Sequence, residues 1–171
     1  MNKYVFIIII SYVIAQRISE LFLSRRNEKF LKENGAVEYG KSHYKYIIVL
    51  HVFFIAALIA EYIITREFRN VTSLNYFLLM LFSVIQILRF YTIYSLGKYW
   101  NTKILRIPGV PLVKKGAYRY MKHPNYMIVA AEILVLPLIF SCYITALVFS
   151  VLNLLVLSVR IKAENNVLRQ G

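Results

Sequence analysis

The sequence contains no aspartate, and only eight acidic residues, all glutamate, stand against 21 lysines and arginines. Its single cysteine, Cys142, excludes an intramolecular disulfide and any cysteine-based metal site. Its three histidines, His43, His51 and His123, are far apart, with no His-x3-His or Glu-x2-His spacing, so the pattern argues against a bound metal. Charged residues make up 17% of the chain, against about 25% in a soluble domain. No internal repeat is visible, which argues against a transporter built from two related halves.

What the sequence has in abundance is apolar. Hydrophobic residues reach 59% of its 171 positions, with a mean hydropathy of +0.57. That composition fits a polytopic membrane protein whose helices satisfy their own backbone inside the bilayer. Five apolar runs, at about 4–23, 46–64, 74–96, 126–140 and 143–159, predict five spans in one domain covering 1–171. The first run follows Lys3 with no small-residue cleavage pattern behind it, so it is expected to be a retained helix. Only Ser141 and Cys142 separate the fourth run from the fifth, which predicts a tight antiparallel hairpin.

The net charge of +13 raises nucleic acid as a partner, but the cations cluster in the connections between apolar runs. The stretch 25–43 holds five, 97–125 holds seven, and the tail adds Arg160, Lys162 and Arg169. Lys3, Arg66 and Arg69 are the only ones on the other side. The asymmetry predicts an outer N-terminus and a cytoplasmic C-terminus. The connection 97–125 is the longest, and Pro108, Gly109, Pro111 and Gly116 punctuate it among aromatics, so an ordered, irregular structure is expected.

Charges inside spans are costly and need a partner or a cavity. Arg17 and Glu20, three apart, can pair on one helix face. Arg89 and Glu132 either pair across spans three and four or line a pocket; Glu61 reads best as an outer-interface residue, and His51 as a hydrogen-bonded packing residue.

The stretch YRYMKHPNYM, 118–127, opens the fourth span. Pro124 suits the first position of a helix, whose free N–H groups then face back toward His123 and suit an anion. Tyr118 and Tyr126 can wall an aromatic pocket there, while an interfacial aromatic belt explains the same residues without a ligand. Past the fifth span, Arg160 and Glu164 share a helix face, either as a surface ion pair or as a holder for an acidic substrate.

Three blocks in order, LVKKGAY at 112–118, KHPNY at 122–126 and RIKAE at 160–164, together with LGKYWNTKI at 96–104, resemble the isoprenylcysteine carboxyl methyltransferase family in its short prokaryotic form. The resemblance is specific over 96–169. It implies an all-α enzyme of about five transmembrane helices in the bacterial cytoplasmic membrane, with a cytoplasmic cofactor region between spans three and four and after span five. It implies S-adenosylmethionine as cofactor, S-adenosylhomocysteine as product, and as partners a lipophilic small-molecule or lipidated methyl acceptor and, separately, the membrane lipids. Carried onto this chain, the cofactor contacts fall on Lys103, Val110, Pro111, Leu112, Val113, Tyr118, His123, Pro124, Asn125 and Tyr126, and the catalytic roles on Arg160 and Glu164. The expected acceptor is a carboxylate. The alternatives are a lipidic enol or phenol such as an alkylpyrone, which needs a base such as His123 or Glu164, or a non-enzymatic lipid-binding protein. The chain departs from the family pattern at Lys122, Asn165, Val110 and Pro111, which bears on acceptor identity more than on the cofactor.

Overall fold

A computed structural model describes residues 3–65 and 71–169, without the side chains of positions 42, 43, 168 and 169. Arg66 and Arg69, and the side chains of His43 and Arg169, thus lie outside the described residues. The protein is an all-α integral membrane protein. Its helices are α1 (Lys3–Glu33), α2 (Lys41–Thr65), α3 (Ser73–Leu96), α4 (Pro124–Ile139) and α5 (Tyr143–Arg169). Among the described residues, α1, α2, α3 and α5 are long and apolar enough to cross a membrane, and α4 is a shorter apolar helix.

Hydropathy locates the apolar centres better than the helix ends. α1 runs ten residues past the expected Leu23, and α5 ten past Val159. The α1 extension stays helical because it has something to cover: Asn27 and Leu31 are buried there. Between α1 and α2 lies β1 (Val37–Tyr39), which pairs antiparallel with β2 (Ile104–Arg106), Glu38 opposite Leu105. This small ribbon, absent from the expected architecture, ties the two basic connections together.

The core at the far end from these connections is aromatic and aliphatic. Phe6 stacks on Tyr62 at 3.6 Å between centroids and meets Phe140 edge-on at 4.8 Å, joining α1, α2 and the α4–α5 turn. That turn is tight, as expected: Ser141 takes φ 54°, and Cys142 N–H reaches back to the Pro137 carbonyl at 3.0 Å. Glu61 on α2 accepts hydrogen bonds from the N–H groups of Ile144, at 3.1 Å, and Thr145, at 2.7 Å. A carboxylate thus caps the free N-terminus of α5 from a neighbouring helix, which suits both its unpaired donors and its dipole.

Candidate functional site

The connection 97–125 is ordered because side chains of α1 supply the hydrogen bonds that its irregular backbone cannot make internally. Asn27 Nδ2 donates to the carbonyls of Gly97, at 3.0 Å, and Trp100, at 2.7 Å. Ser24 Oγ meets Asn101 Oδ1 at 3.0 Å and Thr102 Oγ1 at 2.8 Å. Lys103 Nζ sits 2.8 Å from Glu28 and 3.6 Å from Glu38, and hydrogen bonding to Glu28 holds its pKa above the ordinary lysine value. This end of the loop is thereby fixed against α1, α2 and the ribbon.

At the other end of the loop, residues 116–119 form a 3-10 turn and His123 precedes the proline-started α4. The His123 and Tyr126 rings stack at 5.3 Å, and the Arg160 guanidinium lies 5.4 Å from the Tyr126 ring. Arg160 Nε donates to the Tyr126 hydroxyl at 2.7 Å, and that hydroxyl donates to Glu164. Arg160 Nη2 also donates to the Thr102 carbonyl at 2.5 Å, which leaves Nη1 without a protein partner among the described residues. Of the two readings open for Arg160 and Glu164, the direct ion pair is replaced by a relay through Tyr126. The reason is geometric: a tyrosine stacked on His123 stands between the two charges.

His123 Nε2 lies 3.1 Å from Asn165 Oδ1, and Nδ1 lies 3.5 Å from Glu164. Where Nε2 donates to that amide oxygen, a second proton on Nδ1 faces a carboxylate. Glu164 accordingly raises the His123 pKa above its usual value, against the opposing effect of burial. Burial likewise raises the Tyr118 phenol.

All of this borders one cavity of about 870 Å³. Of the residues named from sequence, Lys103, Val110, Pro111, Leu112, Val113, Tyr118, His123, Asn125, Tyr126, Arg160 and Glu164 line it; Pro124 does not. Pro124 is buried beneath and sets the start of α4. Asn125 Oδ1 is buried on the wall without a hydrogen-bond partner among the described residues.

The cavity also runs deeper, between the spans, to polar residues that the motifs did not assign. Arg89 grips both oxygens of Glu20, Nη2 to Oε2 at 2.5 Å, and donates to Glu132 through Nη1. Arg17 donates to Glu132 at 2.6 Å and sits 3.4 Å from Glu20, and Gln86 donates to Glu132 at 2.7 Å. Arg89 and Glu132 thus both pair with each other and line the cavity. His51, Asn153 and Trp100 line it as well. Asn153 had a visible signal, being a lone amide in the apolar run SVLNLLV. Trp100 and Thr102 lie inside the block LGKYWNTKI, but nothing in it singled them out, since their positions depend on how the loop docks.

Comparison with known proteins places this geometry in context. The model of the isoprenylcysteine carboxyl methyltransferase (ICMT) family matches residues 77–170, which include the loop and the Arg160 region. The uncharacterized protein YpbQ of Bacillus subtilis is 46% identical over 165 residues, covering 96% of this chain and 97% of its own. An uncharacterized protein of Haemophilus influenzae is 34% identical over 155 residues, covering 90% and 89%. No solved structure matches the chain.

Proposed function

The chain belongs to the isoprenylcysteine carboxyl methyltransferase family, and we propose that it is an S-adenosylmethionine-dependent O-methyltransferase that esterifies the carboxylate of a lipophilic substrate at the membrane. The observation that carries this reading is the single cavity joining the Arg160–Tyr126–Glu164 cluster at the basic loop to apolar walls between the spans. A water-soluble acceptor has no use for the inner part, and a lipid has no use for the charged rim unless its own head is ionised.

The rim residues fit the cofactor. Tyr118 offers an aromatic face for its adenine or its sulfonium, Tyr126 lines the same wall, Asn125 Oδ1 is a buried acceptor in need of a donor, and Lys122 is a cation for its carboxylate. Bound there, S-adenosylmethionine supplies a methyl group on a cationic sulfur, so that transfer to an ionised carboxylate yields a neutral ester and a neutral thioether with no proton to remove. The chain's own work is then positioning and exclusion of water. Arg160 is fixed by Tyr126 and Thr102 at two of its nitrogens, and Nη1 remains to orient an acceptor oxygen. Glu164 holds the Tyr126 hydroxyl and draws His123 toward its charged form. An ionised carboxylate needs no base, whereas an enol or phenol would have to give a proton to a residue such as His123 or Glu164. The basic face carrying this rim is proposed to be cytoplasmic.

The test is transfer of labelled methyl from S-adenosylmethionine into a lipid extract of the native cell, with mass spectrometry of the product and release of the label as methanol by mild alkali. A carboxylate acceptor gives an alkali-labile methyl ester; an alkali-stable product would assign an ether instead. Tyr126→Phe, which unties Arg160 from Glu164, is expected to slow transfer roughly tenfold or more. If S-adenosylhomocysteine does not bind the purified protein, the enzyme reading fails.

A further inference from the structure

Each of the five helices brings a polar side chain to the same depth. On α4, Glu132 lies six residues beyond Tyr126, and on α5, Asn153 lies seven before Arg160, so both sit about 9–11 Å deeper than the rim at 1.5 Å per residue. Arg17 of α1 and Arg89 of α3 reach Glu132 directly. On α2, His51 is level with Asn153: Phe54, three residues on, meets Phe149, four residues back along antiparallel α5, at 5.6 Å. Arg17, His51, Arg89, Glu132 and Asn153 all line the one cavity.

The chemistry of this level is specific. Its two guanidiniums, Arg17 and Arg89, are matched by two carboxylates, Glu20 and Glu132, so it offers no net charge to a second ionised group. Asn153 is 2% exposed, and its Nδ2 is buried with no partner among the described residues. An unmet donor at such a site is costly unless a ligand meets it. His51 Nδ1 lies 2.8 Å from the Ile47 carbonyl. A carbonyl only accepts, so Nδ1 carries the proton, and Nε2 of the neutral ring is left as an acceptor. A donor and an acceptor at one depth of a cavity without net charge match a hydroxyl, which both accepts and donates.

We propose that the methyl acceptor carries a neutral hydroxyl on its apolar chain, about 10 Å from the methylated group, held by Asn153 and His51 between the spans. The proposal rests on the reading that the acceptor occupies this cavity. It replaces a plain hydrocarbon tail with one bearing a second polar group.

The probes are hexadecanoic acids with the hydroxyl moved carbon by carbon, and the unsubstituted acid as control, titrated into the full chain in detergent micelles. Trp100, the only tryptophan, lines the cavity with its Nε1 unpartnered, so its emission reports occupancy. One mid-chain position is expected to bind roughly fivefold to tenfold tighter than the control, the worth of a typical hydrogen bond. Asn153→Leu and, separately, His51→Phe are expected to erase that preference while the unsubstituted acid still binds, which also shows that the variants are folded. Equal binding of all acids by the unmodified chain, or a preference that survives both substitutions, would overturn the proposal. Titration with S-adenosylhomocysteine reads the other question: a chain that does not bind it loses the methyltransferase assignment, and with it the identification of the hydroxylated ligand as a methyl acceptor.

Discussion

Neutralising Glu132 tests whether the polar level between the spans is held by charge balance or by individual hydrogen bonds. Glu132 is 4% exposed and receives Arg17 at 2.6 Å, Gln86 at 2.7 Å and Arg89. Glu132→Gln keeps the shape and an acceptor oxygen but leaves one carboxylate, Glu20, facing two guanidiniums. Hydrogen bonds between membrane helices average only about 0.6 kcal/mol, with about 1.7 as an upper value. Loss of one or two of them predicts a cost near 1 kcal/mol. An uncompensated buried charge predicts about 3–5 kcal/mol. The two accounts are thus separated by more than the scatter of either, and the structure favours the larger because Arg89 is only 2% exposed.

The assay is reversible unfolding in mixed micelles titrated with dodecyl sulfate, followed by far-ultraviolet circular dichroism. Arg17→Gln supplies the decisive comparison, since the side chain of Arg17 is 25% exposed and its removal restores neutrality when Glu132 is already gone. The double variant is expected to be at least about 2 kcal/mol more stable than the sum of the two single changes. Additivity within about 0.5 kcal/mol would mean that the sites do not interact, and a Glu132→Gln cost below about 1 kcal/mol would refute the charge-balance argument outright.

Two further predictions concern the rim. Gly116 has φ +52°, and a Cβ there would stand 2.0 Å from Ser95 Oγ and 2.8 Å from Ser95 Cβ; Gly116→Ala is expected to cost about 2 kcal/mol or more in stability and to speed proteolysis within 97–125. Gly109, with φ +75° and nothing within 4 Å of an added Cβ, is the control, with Gly109→Ala expected to cost about 1 kcal/mol from backbone strain alone. Because Glu164 raises the folded-state pKa of His123, the stabilisation is full below the unfolded value of about 6.5 and fades as pH rises through the folded value. His123→Gln is therefore expected to lower the melting temperature most near pH 6 and least near pH 9, and an equal loss at both would remove the ion pair from the account.

Much of this architecture is written locally, and the remainder depends on contacts that no local pattern encodes. The apolar runs reveal where helices lie because hydropathy is a property of each segment. Helix ends are different. α1 continues to Glu33 because Asn27 and Leu31 are buried there, with Asn27 holding the loop backbone, a contact across about seventy residues of sequence. The ribbon strands VEY and ILR are three residues each and pair only because the loop brings them together. Arg89 and Glu132 announced a need for partners simply by being charged inside a span. That Arg89 would also take Glu20, and Glu132 also Arg17, depends on how three helices are rotated about their axes. The spacing of Arg160 and Glu164 put them on one face and left open a direct pair; what intervened was Tyr126, placed by the proline-fixed start of α4.

The same geometry bears on how a ligand would lie. The rim gathers Lys114, Lys122 and Arg160 around a single carboxylate, Glu164, while the inner level pairs every guanidinium with a carboxylate. An amphipathic acid placed in the cavity with its head inward would bring a third anion to two already matched cations, at the depth where desolvation is most costly. With its head outward, it meets the free Nη1 of Arg160 and leaves its chain against Val13, Ile14, Leu50 and Phe54. The balance of charge inside is therefore as much a determinant of orientation as the excess of charge at the rim. Removing either should allow the ligand to bind the wrong way round, before it stops the ligand from binding at all.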